Sequence, residues 1–350
     1  KSSAQVALRW NIQRGVCVTV KSTKAERMKE NMDIFDFSLT EEEMNRISKK
    51  SLDHSEIINH FDPELVEFFT LNNGIQMPKS GLGTFLLTPK EAYDSTLAAL
   101  KCGVRHIDTA NGYMNEKAVG RAIKDSGIDR SEIFVTTKLW PSVYSDENAI
   151  SDTLTRLKLD YVDMLILHQP TCDYIHAYQM MEEAYKNGKV KALGLSNFSE
   201  EKIQEILDIA QIKPQLLTVE CHPYYVQKKL REYLAPYKII IEAWYPLGHG
   251  DHAMMDEPVF TKLAEKYHKT PVQIILRWHT QYGTSVIPGS KTPSHIEENN
   301  AIYDFTLTEE EMKEIDALDC GKHYYTQTQE LLDKYASMAP DFNGQDDGKE

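Results

Sequence analysis

IFVTTKLWPSVYSDENAISDTLTRLKLDYVDMLILH, residues 133–168, holds one full turn of the pattern that runs through most of this chain. It opens on a short apolar run, IFVTTK (133–138), and closes on another, DMLILH (163–168), with a helical pattern between them. Both runs are apolar on consecutive positions, as strands covered on both faces are. QLLTVE (215–220) and KIIIEAW (238–244) read the same way. Between such runs the apolar residues fall at helical spacing: Ile203, Ile206, Leu207 and Ala210 in one segment, Leu230, Tyr233, Leu234 and Tyr237 in another. Helix starts are marked. Thr88-Pro89-Lys90-Glu91 has a capping Thr, Pro at the first helical position and Glu three residues on. Thr270-Pro271 and Thr308 with Glu311 repeat that logic.

About eight strand–helix units follow residue 80, which means an open doubly wound sheet or a closed barrel. The polar residues at strand ends decide between them. Asp108, Lys138, His168 and Asn197 each close an apolar run, at separations of 30, 30 and 29 residues. A barrel brings those ends to one face, where such folds carry their active sites. An open sheet would spread four of them over about 15 Å at a strand spacing near 4.8 Å. The expected fold is therefore α/β, a (β/α)8 TIM barrel. Gly81-Leu82-Gly83 has two glycines of the dinucleotide fingerprint but not the third. Pro288-Gly289-Ser290-Lys291 lacks the upstream glycine of a P-loop, and no GxSxG occurs.

The 350 residues, 41% hydrophobic and 26% charged, suit an ordinary globular protein with room for such a barrel. A net charge of −14 argues against a nucleic-acid partner, which needs a basic surface. No run of 18 apolar residues is present to span a membrane, and no secretory signal is read at the start. The five cysteines, Cys17, Cys102, Cys172, Cys221 and Cys320, are odd in number, far apart and form no CxxC. They read as free thiols of a reducing cytosol, so a cytoplasmic location is expected. His249 and His252 read as part of a solvated loop, and no metal is expected.

The chain repeats itself once. Residues 5–47 align without a gap on residues 273–315, sharing LRW, EN, DF and LTEEEM. An offset of 268 residues is a domain period, not a solenoid period. The expectation is that residues 1–69 are the C-terminal fragment of a preceding, related domain, and that residues 70–350 form a complete barrel with a C-terminal tail. Lys1 in place of Met hints that a larger protein has been cut. The alternative is that residues 1–69 belong to the second domain.

Asp108, Tyr113, Lys138 and His168 are the candidate chemistry. Tyr113 lies five residues beyond Asp108, in the loop after its strand. A phenol, with a reference pKa of about 10, is a poor acid at neutral pH. A neighbouring ammonium lowers that pKa, and Lys138 can supply it, held by Asp108. His168 can orient a carbonyl oxygen. The set suits protonation of a developing alkoxide. Taken singly, Asp108 and Lys138 would make a structural ion pair, and His168 and Tyr113 would be packing residues.

HIDTANGYMNE (106–116), TTKLW (136–140), LILHQP (165–170), GLSNF (194–198) and ECHPY (220–224) resemble the aldo-keto reductase family, in order, over residues 70 to 320. The N-terminal segment resembles the end of another member. The resemblance implies a (β/α)8 barrel that binds NADPH extended across its strand ends. It implies catalysis by Asp108, Tyr113, Lys138 and His168, with hydride passing to the carbonyl carbon and Tyr113 donating the proton. It places Ser196 and Asn197 on the carboxamide and Trp244 against the nicotinamide. Gly83, Thr84, Asp108, Thr218, Leu247, Ser290, Lys291, His295, Glu298 and Asn299 complete the implied cofactor contacts. Phe85, Trp140 and His168 would face the substrate, under a tail that resembles the family's substrate-covering segment, GKHYYTQTQELLDKYASMAPDF after Asp319.

The chain departs from the family pattern where the cofactor is held. Thr218 stands in place of a Gln. In VIPGSKTPSHIEEN (286–299), Gly289 stands where the family has Lys, and His295 where it has Arg. Those two residues clamp the 2′-phosphate of NADPH, so use of NADH is expected beside NADPH, with Lys291 a partial substitute for the lost charge. The first copy keeps Lys21, Ser22 and Arg27 in the family pattern. The expected partner is a small carbonyl compound, with no nucleic acid and no membrane, and the expected state is a monomer or weak oligomer. Two other functions stay open at this point: a non-catalytic cofactor-binding barrel, and a Schiff-base aldolase acting through Lys138.

Overall fold

The computed structural model describes residues 1–14, 29, 31–44 and 65–349. Cys17, Lys21, Ser22 and Arg27 lie outside the described residues. The chain divides into two compact units, Lys1–Phe61 and Asp62–Glu350. The expected boundary near Phe69 falls within the first strand of the second unit.

That unit opens with an antiparallel hairpin, β1 (Phe68–Thr70) and β2 (Gln76–Pro78). Leu71 and Met77 of the hairpin are buried with Phe134, Met164 and Leu216. Those three residues each begin a barrel strand, so the hairpin plugs the lower end of the barrel.

Eight strands follow: β3 (Leu82–Gly83), β4 (His106–Asp108), β5 (Phe134–Leu139), β6 (Met164–Leu167), β7 (Leu193–Ser196), β8 (Leu216–Glu220), β9 (Ile240–Trp244) and β10 (Thr284–Val286). They pair in parallel and in chain order. The last meets the first. Ser80 bridges Val286 in parallel, the Gly81 N–H donates to the Val286 carbonyl at 2.9 Å, and the Val286 N–H donates to the Lys79 carbonyl at 3.1 Å. Closure is the difference between a barrel and an open sheet. A Cβ on Gly83 would lie 2.6 Å from the Ile287 carbonyl oxygen, so glycine is needed at this seam.

Strand side chains alternate between the two faces. Ile107, Val135, Leu139, Leu165 and Leu217 pack outward into the main core. Asp108, Lys138 and Glu242, on the other phase, are buried inside the ring. Surrounding helices begin where the capping signals place them: Thr88, Thr270 and Thr308 each close a capping box, on Pro89–Lys101, Pro271–Gln281 and Glu309–Asp316. The tail carries one further helix, Gln329–Ser337. No helix among the described residues is long and apolar enough to cross a membrane.

The first unit repeats several hydrogen bonds of the end of the second. Gln5 Nε2 donates to the Asp33 carbonyl at 3.0 Å, as Gln273 Nε2 donates to that of Ala301 at 2.9 Å. Arg9 bonds Ser38 as Arg277 bonds Thr306. Gln13 exchanges two bonds with the backbone of Leu39, as Gln281 does with Leu307. Partners in each pair differ by the same 268 residues that relate the sequences.

Candidate active site

The four candidate residues meet at the upper ends of β4, β5 and β6. Asp108 ends β4, Lys138 is next to last in β5, and His168 follows β6 directly. Tyr113 sits in a short 3-10 turn, Asn111–Tyr113. Lys138 Nζ donates to both carboxylate oxygens of Asp108, at 2.5 and 2.6 Å, and to the Thr109 carbonyl at 3.1 Å. Both residues are buried. Lys138 Nζ lies 4.9 Å from the Tyr113 ring centre, and that ring lies 5.6 Å from His168, edge to face.

Burial governs the electrostatics. It would lower the Lys138 pKa, but the charges of Asp108 and Tyr113 outweigh it and hold the ammonium above the ordinary lysine range. Burial pushes the Tyr113 phenol up to about 12, against the pull of Lys138. The expectation that Lys138 would leave Tyr113 with a lowered pKa is therefore corrected: the ammonium acts in the expected direction, and desolvation exceeds it. Burial, and then Lys138, depress His168 well below the ordinary imidazole value. His168 is neutral, and its buried Nδ1 has no hydrogen-bond partner among the described residues.

Glu242 is a residue the sequence reading passed over. It is fully buried in β9 and accepts from Thr218 Oγ1 at 3.2 Å and Ser285 Oγ at 3.1 Å. Burial and then Asp108 push its carboxyl up to about 8. The signal was present: a single acid inside the apolar strand KIIIEAW.

The remaining candidates fall into two groups along the strand ends. Near the four residues, Thr84 Oγ1 donates to the Asp108 carbonyl at 3.0 Å. Ser196 ends β7, and Asn197 follows it in a left-handed conformation, φ 62°. Trp244 Nε1 donates to Asn197 Oδ1 at 2.9 Å, which fixes the indole by its edge. Leu247 is half-buried. Thr218 spends its hydroxyl on Glu242. Farther round, Ser290, Lys291, His295, Glu298 and Asn299 gather at and before the helix Pro293–Asn300. Lys291 is ion-paired with Glu91 at 3.0 Å, His295 is exposed, and Glu298 accepts from Thr270 Oγ1 at 2.6 Å.

Phe85 packs on Tyr113 at 5.1 Å, and Trp140 on His168 at 5.1 Å. Two residues of the tail expected to cover the substrate, not singled out within it, join them: Tyr335 lies 5.4 Å from Trp140, and Tyr325 lies 5.4 Å from Trp244. His249 and His252 are exposed.

A family model described as the aldo/keto reductase family matches residues 1–52 and 80–320. The chain is 43% identical over 267 residues to glyoxal reductase of Bacillus subtilis (strain 168), covering 75% of this chain and 96% of that protein. It is 40% identical over 256 residues to methylglyoxal reductase DkgA of Escherichia coli (strain K12), covering 72% and 93%. Among solved structures, an aldo-keto reductase from a deep-sea metagenome library is similar at 40% identity and TM-score 0.71, over 75% of this chain and 98% of that one. A Bombyx mori aldo-keto reductase in complex with NADP is similar at 30% identity and TM-score 0.70, over 74% and 94%.

Proposed function

The chain belongs to the aldo-keto reductase family, an NAD(P)H-dependent oxidoreductase acting on carbonyl groups, and from that premise we propose how its residues divide the work. Tyr113 gives its proton to the carbonyl oxygen as that oxygen gains charge. Lys138, kept as an ammonium by Asp108, steadies the phenolate left behind. Neutral His168 donates a hydrogen bond to the same oxygen and sets its direction. The single observation that carries this reading is Lys138, buried, on both oxygens of Asp108 and 4.9 Å from the Tyr113 ring. Bound NADPH or NADH supplies the hydride to the carbonyl carbon.

The donor set fits that cofactor. Ser196 and Asn197 offer a hydroxyl and an amide for a carboxamide, and the edge-held Trp244 offers a flat apolar ring. Gly83, Thr84, Thr218 and Leu247 border that part of the site. Ser290, Lys291, His295, Glu298 and Asn299 would hold the adenosine end. With Gly289 and His295 in place of two cations, and Lys291 paired with Glu91, this end favours NADPH weakly and accepts NADH.

The substrate is a small neutral aldehyde or dicarbonyl. Phe85, Trp140 and Tyr335 make the walls aromatic, and the cation at the site is already paired with Asp108. The glyoxal and methylglyoxal reductase relatives fit that class. Residues 1–69 are the C-terminal fragment of a second domain, as the repeated bonds suggest, and the enzyme is a cytoplasmic monomer or weak oligomer. The test is NADPH and NADH oxidation against a carbonyl panel, by the full chain and by a chain starting at Asp62, where the second compact unit begins. Equal turnover by both is expected. No turnover with any carbonyl would sink the catalytic reading in favour of a cofactor-binding barrel.

A further inference from the structure

Glu116 is a fully buried acid with no place in the chemistry above. It begins the helix Glu116–Asp125, three residues after Tyr113. A carboxylate has about four lone-pair sites, and this one is met by four donors from four separate elements. Oε1 accepts from Asn111 Nδ2 at 3.0 Å and Thr137 Oγ1 at 2.6 Å. Oε2 accepts from Arg156 Nε at 2.7 Å and Gln345 Nε2 at 3.4 Å. Asn111 belongs to the turn that carries Tyr113. Thr137 precedes Lys138 and faces out of the barrel because Lys138 faces in. Glu116 thus grips, from behind, both elements that carry the proton relay.

The fourth donor comes from the C-terminal tail, and so does the cover. Arg156 Nη1 donates to Asn343 Oδ1 at 3.1 Å, and the buried Phe342 ring lies 5.7 Å from the Arg156 guanidinium. Beyond it, Arg121 Nη2 donates to the Gly348 carbonyl at 2.8 Å. The same tail is tied at its other end, where the N–H groups of Tyr324 and Tyr325 donate to Glu220 at 2.7 and 2.9 Å. The helix Gln329–Ser337 therefore spans two anchors, with Tyr335 against Trp140 between them.

We propose that Glu116 and Arg156 are positioning residues for the proton donor, and that residues 342–348 are a strap that completes their site. With the strap seated, the ion pair is dry and fully bonded, and the turn of Tyr113 and the strand of Lys138 are held in one geometry. With the strap lifted, Glu116 and Arg156 each lose a partner, water reaches the pair, and its grip weakens because the local dielectric rises. Release of the tail and alignment of the donor are then one event. The proposal rests on Tyr113 being the proton donor.

The test uses the full chain with two strap variants, Asn343→Ala with Gln345→Ala, and Phe342→Ala. Neither change touches the barrel interior. The expected result is faster hydrogen exchange at 342–348 and at 111–116, a kcat lower by about tenfold to a hundredfold, and a larger solvent deuterium effect on kcat. Cofactor affinity stays unchanged. A strap that exchanges faster while 111–116 and kcat hold steady overturns the proposal, and so does a strap that stays protected in both variants. A Tyr113→Phe protein with normal turnover removes the proton-donor reading itself. An inactive Tyr113→Phe beside fully active strap variants removes only the strap.

Discussion

Lys138 stands 4.9 Å from the centre of the Tyr113 ring while both of its short bonds go to Asp108. The ammonium cannot leave Asp108 without stranding a buried carboxylate, so its position beside the phenol is fixed. That fixed charge matters most when the phenol has just lost its proton.

Removing the proton tests this. Tyr113→Phe keeps the ring against Phe85 and His168 and deletes only the hydroxyl. Steady-state kinetics with a small aldehyde are expected to show kcat reduced by about a hundredfold to ten-thousandfold. NADPH binding, followed by protein fluorescence, should be retained.

The pH dependence of reduction follows from the directions of two shifts. Tyr113 acts as an acid and must be protonated, and its pKa is pushed up to about 12. His168 acts neutral, and its pKa lies well below the ordinary value. Neither group changes state near neutrality, so kcat for reduction should be flat between about pH 6 and about pH 9. Alcohol oxidation needs the phenolate and should rise with pH over the same range. A reduction profile that breaks near pH 6.5 would assign a titrating role to His168.

Stability responds to acid through three histidine shifts in one direction. His106 and His279 are buried and lowered to about 3, and His168 is lowered well below the ordinary value. Below the unfolded-state value of about 6.5, the unfolded chain binds protons that the folded one refuses. Stability is therefore fully present above about pH 6.5 and is lost as pH falls towards the folded values. Urea midpoints should fall between about pH 6.5 and about pH 4, where the three histidines outweigh the opposing gain from the raised Glu242 carboxyl, and replacing His106 by Gln should flatten that fall.

Cofactor choice turns on local charge. His295→Arg restores a bidentate cation and should tighten NADPH by about tenfold to a hundredfold, leaving NADH unchanged. Gly289→Lys should gain less, because a Cβ there meets the Gly83 carbonyl oxygen at 3.1 Å. Glu91→Gln frees Lys291 and should shift preference slightly towards NADPH, since an exposed pair is worth little. Fluorescence titration with both cofactors reads all three. A wild-type preference for NADPH above about a hundredfold would refute the weakened clamp.

The barrel and its four polar strand ends were legible in the sequence because both depend on local spacing. A strand repeats every two residues and a helix every 3.6. One βα unit takes about 30 residues, so Asp108, Lys138 and His168 announce a common face. The bonds joining residues far apart in the chain carry no such period. Val286 closing on Ser80, Met338 accepting the Trp140 indole N–H at 2.9 Å, Glu91 taking Lys291, and Gln345 reaching Glu116 each join distant residues. The Tyr113 pKa was hidden for the same reason. Lys138 is visible as a charge in the sequence, but desolvation is a sum over every neighbour that excludes water, and only the folded barrel supplies that sum.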